Sequence, residues 1–212
     1  RVGPVDRSEV ASFAAAASTS ITDIGEMNDS STYAGSGWSS TKGYVIAGAG
    51  ALDKIQDYTF ASPFSATDVA ETISEKENPT SHDDETYTFN CMGGPPNSDV
   101  ITRYAKGTSN NSTDVGEAVT SKYGASGNTD NTNGYGFISG GGSPEVNTLQ
   151  RFSFSSPSSA ADVAEHAAPY VNAGGDRGVS TLTHGHILMR VGPGSTNERF
   201  SFTAPYPSAD VG

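Results

Sequence analysis

The dipeptide Asp-Val (Asp-Ile in its first copy) recurs at Asp23, Asp68, Asp114, Asp162 and Asp210, at spacings of 45, 46, 48 and 48 residues. Ten and eight residues ahead of each Asp stand the pairs Phe13/Ala15, Tyr58/Phe60, Tyr104/Lys106, Phe152/Phe154 and Phe200/Phe202. Every copy therefore has an aromatic at the first of the two places. A second phrase precedes the later copies: "GYVIAGAG" (43–50), "TYTFNCMGG" (86–94), "GYGFISGGG" (134–142) and "HGHILMRVG" (184–192). A period of this length excludes most folds, because each unit is too small to bury an apolar face alone and must stack on its neighbours.

Within a unit, "RFSF" alternates aromatic and polar residues, the period of a half-buried strand. "GYGFIS" and its relatives predict a second strand, closed by glycines that permit positive φ or close backbone approach. "SSPSSAAD" is turn chemistry, with Pro fixing φ and Ser and Asp bonding nearby amides. The variable polar stretch after Asp-Val adds a third and a fourth short strand, as in "AVTSKYGASG" (118–127). The alanine runs at 14–17 and 160–161 invite a helix, but the repeat aligns Phe13 with Phe152 and Phe200 and overrides local propensity. The expectation is an all-β chain of tandem repeats of about 47 residues, three or four strands each, the size of one propeller blade. The units fall approximately at 1–25 (partial), 26–70, 71–116, 117–164 and 165–212, forming one domain. The opening "RVGP" reappears at 190–193, and the final unit stops inside its own phrase. Such ends predict either four to five blades completed by overlapping termini or a head-to-tail contact with a second copy.

Composition narrows the partners. With a net charge of −12 the chain lacks the Lys and Arg that neutralise phosphates, which argues against nucleic acid and against an anionic membrane surface. No apolar run approaches the ~18 residues of a membrane span, so membrane insertion is not expected. "ASFAAAAS" (11–18) lacks the basic flank of a signal peptide. Cys91 is the only cysteine, so no intrachain disulfide forms. Its counterparts in the repeat are Ala47 and Ser139, and a small buried residue is the expectation rather than a catalytic thiol.

The phrases Gly-Tyr…Gly-Gly, Phe-Ser-Phe and Ala-Asp-Val resemble kelch-type β-propeller repeats. More narrowly, they are similar to tandem repeats in tail-fibre and structural proteins of marine bacteriophages, most fully at 134–165. The single tryptophan, Trp38, precedes its glycine cluster instead of following it as the kelch pattern has it. The resemblance implies a kelch-like propeller in a virion appendage or other structural role, located in the virion or extracellularly.

Candidate sites are weighed against the repeat. The aspartates Asp23, Asp68, Asp114, Asp162 and Asp210 would line a channel or hold cations if brought together; as members of every unit they are read as structural, each in a tight turn bonding its own amides. "SHDDE" (81–85) and "SGNTDNTNG" (126–134) are oxygen-rich and would suit Ca²⁺, but they match no calcium-loop spacing, and solvated loops are the reading. His184 and His186 alternate on a strand like a metal pair; no third ligand has matching spacing, and His186 takes the place of Tyr44 and Tyr135. No metal or other cofactor is therefore expected. Trp38, Tyr33, Tyr123 and Tyr170 lie in variable segments and are the candidates for stacking on sugar faces, with packing between blades the alternative. No nucleophile elbow, P-loop or dinucleotide fingerprint is present.

These readings converge on a non-enzymatic structural or binding module of a bacteriophage virion, presenting loops to a host surface polysaccharide. Its expected partners are other virion proteins or copies of itself. A self-assembling extracellular filament or surface-layer protein is one alternative, and a propeller-type polysaccharide-degrading enzyme another.

Overall fold

Residues that alternate about a half-buried surface and are punctuated by Gly and Asp form short strands, and antiparallel hairpins satisfy their backbone groups locally. The computed structural model describes residues 7–10, 22–28, 32–48, 53–61, 66–73, 77–94, 96–142, 144–170, 178–191 and 194–212. Among these residues every regular element is a strand. β1 (Arg7–Val10) and β2 (Thr22–Glu26) pair as a two-stranded sheet. Four four-stranded meanders follow. The first holds β3 (Gly35–Trp38), β4 (Lys42–Ile46), β5 (Lys54–Thr59) and β6 (Ala66–Glu71). The second holds β7 (Thr80–Asp83), β8 (Tyr87–Cys91), β9 (Ser98–Ala105) and β10 (Thr113–Lys122). The third holds β11 (Ser126–Asp130), β12 (Tyr135–Ser139), β13 (Val146–Ser153) and β14 (Ala161–Tyr170). The fourth holds β15 (Gly178–Ser180), β16 (His184–Val191), β17 (Gly194–Ser201) and β18 (Ser208–Asp210). β10 and β14 run across the unit limits drawn at 116/117 and 164/165.

The recurring aromatic has a seat. Tyr58, Phe152 and Phe200 on the third strands lie directly opposite Gly43, Gly136 and Gly185 on the second. A Cβ on any of these glycines would collide with the facing ring, so ring and glycine form a cross-strand pair. The next aromatic along reaches the preceding sheet: Phe154 stacks on Phe89 at 4.8 Å and Phe202 on Phe137 at 5.2 Å. Three apolar layers result, one between each successive pair of full sheets. Each buried ring contributes roughly 2–3 kcal/mol relative to exposure. Phe60, at the same position in the first full sheet, is exposed.

The Asp-Val phrase does not sit in a turn. Asp68, Asp114 and Asp162 face Gln56, Thr102 and Gln150, and the next register pairs are Ala70 with Ile55, Gly116 with Ile101 and Ala164 with Leu149. Val69, Val115 and Val163 are thus the extra residues of β-bulges in the fourth strands. The same shift separates Asp23 from Gly25 in β2. In the last copy Asn197 meets both Val211 and Gly212 beyond Asp210. Asp114 and Asp210 accept a bond from the amide two residues on, each at 3.1 Å. At Asp114 and Asp210 the exposed carboxylate thus pins the backbone, and Val69, Val115 and Val163 pack against the three cores.

After the second strand the chain turns through a left-handed residue at Ala47 (φ 57), Met92 (φ 63) and Gly140 (φ 64). Ala47 and Met92 adopt this conformation at the cost of a Cβ clash that glycine avoids. Ala47→Gly, which keeps the geometry and removes one buried methyl, is expected to leave stability unchanged or raise it by up to about 1 kcal/mol in urea unfolding.

Neighbouring sheets are also joined by a buried polar residue of the third strand. Gln56 accepts from the Asn28 amide at 2.9 Å, Gln150 from the Val119 amide at 2.7 Å, and Glu198 pairs with His166 Nδ1 at 2.7 Å. In each case the partner lies on or just after the last strand of the preceding sheet.

Candidate functional site

The first strand of each full sheet is short and rich in Gly, Ser and Thr, which lets these strands approach one another. β3, β7, β11 and β15 are successive neighbours, tied by side chain to backbone. Ser36 N–H donates to Ser81 Oγ at 2.9 Å, Asp83 N–H to Thr129 Oγ1 at 3.4 Å, and Thr129 N–H to Ser180 Oγ at 2.8 Å. His82 adds a buried tie. Its Nδ1 donates to the Asn128 carbonyl at 3.0 Å, which leaves Nε2 to accept from Thr80 Oγ1 at 3.2 Å. Burial without a counter-charge pushes His82 down to about 4.

That depression carries a pH dependence. Between pH 6.5 and about 4 the unfolded chain binds a proton on this histidine that the folded chain refuses, so its contribution to stability falls as pH falls. Moving from pH 7 to about 4.5 is expected to cost roughly 2 kcal/mol through His82. Urea titrations of wild type and His82→Gln at both pH values check this, with a smaller pH effect in the variant.

All four inner strands, with the residues that follow β11 and β15, border one open cavity of about 620 Å³. Its wall is mainly Ser, Thr, Gly and Asn, and its rim carries Trp38, Val179 and Leu182, which are 59%, 63% and 83% exposed. A side pocket of about 400 Å³ adjoins it between Trp38, Ser39, Ser40, Asp83, Asp84, Glu85 and Asn131.

One residue organises this corner. Where the other full sheets have a phenylalanine, the second has Lys106, whose side chain is 5% exposed. Its ammonium pairs with Asp83 Oδ1 at 2.7 Å and donates to the Asp84 carbonyl at 2.8 Å and to the Trp38 carbonyl. It also lies 5.9 Å from the Trp38 ring centroid. Asp83 Oδ1 further accepts from Thr88 Oγ1 at 2.7 Å and from the Trp38 amide at 3.3 Å. Burial raises the Asp83 pKa above the ordinary carboxylate value, although Lys106, Thr88 and the Trp38 amide hold part of that rise back. Asp84 closes the β7–β8 turn by accepting from the Thr86 and Tyr87 amides at 2.6 Å. The backbone of Trp38 is thereby held at its amide and its carbonyl, while the residue stays mostly open to solvent.

The other sequence candidates are dispersed. Tyr33 (φ 57, exposed) and Tyr123 precede β3 and β11, at the end of the inner strands opposite Trp38. Tyr123 helps line a separate pocket of about 290 Å³ with Glu77, Asn78, Gly94 and Asn97. Tyr170 closes β14 and pairs with Val146. His184 and His186 lie on β16, with His184 Nδ1 2.8 Å from Thr183 Oγ1. The hairpin registers align His186 with Tyr44 and Phe137, and His184 with Tyr135. The same registers align Cys91, fully buried in the core, with Ile46 and not Ala47. "SHDDE" is the end of β7 and its turn, and in "SGNTDNTNG" Asp130 accepts from the Thr132 and Asn133 amides, each at 3.1 Å. Asp68, Asp114, Asp162 and Asp210 lie on the outermost strands, away from the cavity. Among the described residues no group of three or more His, Cys, Asp or Glu is placed to hold a metal ion. The available signal for Lys106 in the sequence is that it stands where Phe60, Phe154 and Phe202 stand in the other full units.

No family model and no curated protein matches the chain. Among solved structures, that of YjhT is similar in fold, with a TM-score of 0.72 at 12% identity over 88% of this chain. This chain spans 66% of the length of that one.

Proposed function

We propose that the four full sheets are blades of a kelch-like β-propeller and that the chain is a non-enzymatic module that binds a glycan at the cavity rimmed by Trp38. The observation that carries the reading is the solvent-open indole of Trp38, on a backbone held at both its amide and its carbonyl, beside a wall of hydroxyl and amide groups. Sugars offer an apolar face for an aromatic ring and hydroxyls for short polar side chains. The Asp83 carboxylate is occupied by Lys106, Thr88 and a backbone amide, which suits a positioning role better than acid–base work. The likeness of the repeated phrases to marine phage structural proteins supplies the setting, a virion appendage facing a host polysaccharide.

The test is a glycan array probed with wild type and Trp38→Ala. The expected result is saturable binding of a subset of glycans by wild type, weakened at least about tenfold, or about 1.4 kcal/mol, in the variant. Trp38 is mostly exposed, so the variant folds normally, and equal binding by both proteins overturns the reading.

A further inference from the structure

We infer that Asn133 is a latent deamidation site and that Asp130 keeps it closed while the chain is folded. Asn133-Gly134 is the chain's one Asn-Gly pair. It lies in the β11–β12 turn, where Asn133 is exposed and Gly134 has φ +73 with open space where a Cβ would stand. Deamidation here needs no enzyme. The Gly134 backbone nitrogen, giving up its proton, attacks Asn133 Cγ. A C–N bond forms, the Cγ–Nδ2 bond breaks, and Nδ2 leaves as ammonia carrying that proton. Water then opens the cyclic imide at either carbonyl, giving aspartate or isoaspartate. Glycine is the most permissive successor to Asn because no Cβ obstructs the ring closure.

In the fold both reacting ends are tied to one residue. Gly134 N–H donates to the Asp130 carbonyl at 2.8 Å, and Asn133 Nδ2 donates to Asp130 Oδ2 at 2.8 Å. Asp130 Oδ1 also holds the Thr132 and Asn133 amides, each at 3.1 Å. The nucleophile must break a hydrogen bond before it can attack, and the Asn133 amide must leave a charge-assisted one. The tetrahedral intermediate is an oxyanion, and the Asp130 carboxylate, on a residue only 1% exposed, stands beside the place where that charge would form. Like charges repel more strongly in such a site than in bulk water. Conversion would set a second carboxylate against Asp130 and, as isoaspartate, lengthen the backbone of the turn. Asn131 and Thr132 of the same turn line the cavity, so its wall would change as well.

Peptide mapping by mass spectrometry after incubation at mildly alkaline pH tests the inference. Three samples are compared: wild type in buffer, wild type in guanidinium chloride, and Asp130→Asn in buffer. In denaturant Asn133 is expected to convert faster than any other asparagine. In the native protein it should convert at least about tenfold more slowly, the scale of one hydrogen bond to a charged group. Asp130→Asn is expected to speed Asn133 at least about threefold over native wild type, with Asn97, just before β9, unchanged. Equal rates for wild type in buffer and in denaturant, or a faster asparagine elsewhere in denaturant, overturn the inference. So does a folded Asp130→Asn no faster than wild type, or a matching rise at Asn97, which would mark general loosening. Should near-ultraviolet dichroism show that the variant is unfolded, the two wild-type samples decide.

Discussion

Glu198→Ala is expected to destabilise the protein by about 3 kcal/mol, the upper end of the cost of removing one partner of a buried hydrogen bond to a charged group. Glu198 and His166 are both almost fully buried, and their 2.7 Å contact joins the third full sheet to the fourth. Burial alone would raise the Glu198 pKa. The bonds from His166 and Ser208 outweigh it and hold the carboxyl below its ordinary value, so the folded state carries the charge. Removing the carboxylate leaves the His166 ring in the cavity that Glu198 vacates. The double variant His166→Leu/Glu198→Met, which replaces the pair by apolar groups of similar size, is expected to recover most of the loss. Urea midpoints of the three proteins check this; a double variant as unstable as the single one would show that packing, not the lost hydrogen-bond partner, sets the cost.

Gly136→Val is expected to cost about 3 kcal/mol, at the upper end for overpacking. A Cβ at Gly136 would lie within 2.5 Å of Phe152 Cζ and 3.1 Å from Phe154 Cε1. Neither ring has room to retreat, since Phe154 is stacked on Phe89 and Phe152 meets Phe89 edge-on at 5.5 Å. Gly134→Val is the contrasting case, because Gly134 has φ +73 but nothing within 4 Å of its added Cβ, whereas Gly136 has no positive φ. The Gly134 variant should lose stability through backbone strain and keep the near-ultraviolet dichroism of the packed rings, which the Gly136 variant should lose.

The strands were legible because ring, glycine and spacing repeat together: Tyr58, Phe152 and Phe200 each bring their own glycine. The bulge was not. An Asp that bonds the amide two residues on is common to Asx-turns and to the bulges of β10 and β18, and the local sequence carries no register. Unit limits drawn after Asp-Val therefore cut through the middle of a strand. The cavity was legible only in part. Trp38 stood out as the single tryptophan, but its neighbours Asp83 and Lys106 are 23 residues apart and meet only through the β8–β9 hairpin. Tyr33 and Tyr123 look equivalent to Trp38 by composition, yet the strand direction sends them to the other end.

Because Trp38 is the only tryptophan, its fluorescence reports on the proposed site alone. The most direct test is acrylamide quenching of the free protein and of the protein saturated with a glycan that it binds. A site at the cavity rim predicts strong quenching when free and marked protection when bound. Unchanged quenching at saturation would place the glycan elsewhere and contradict the account.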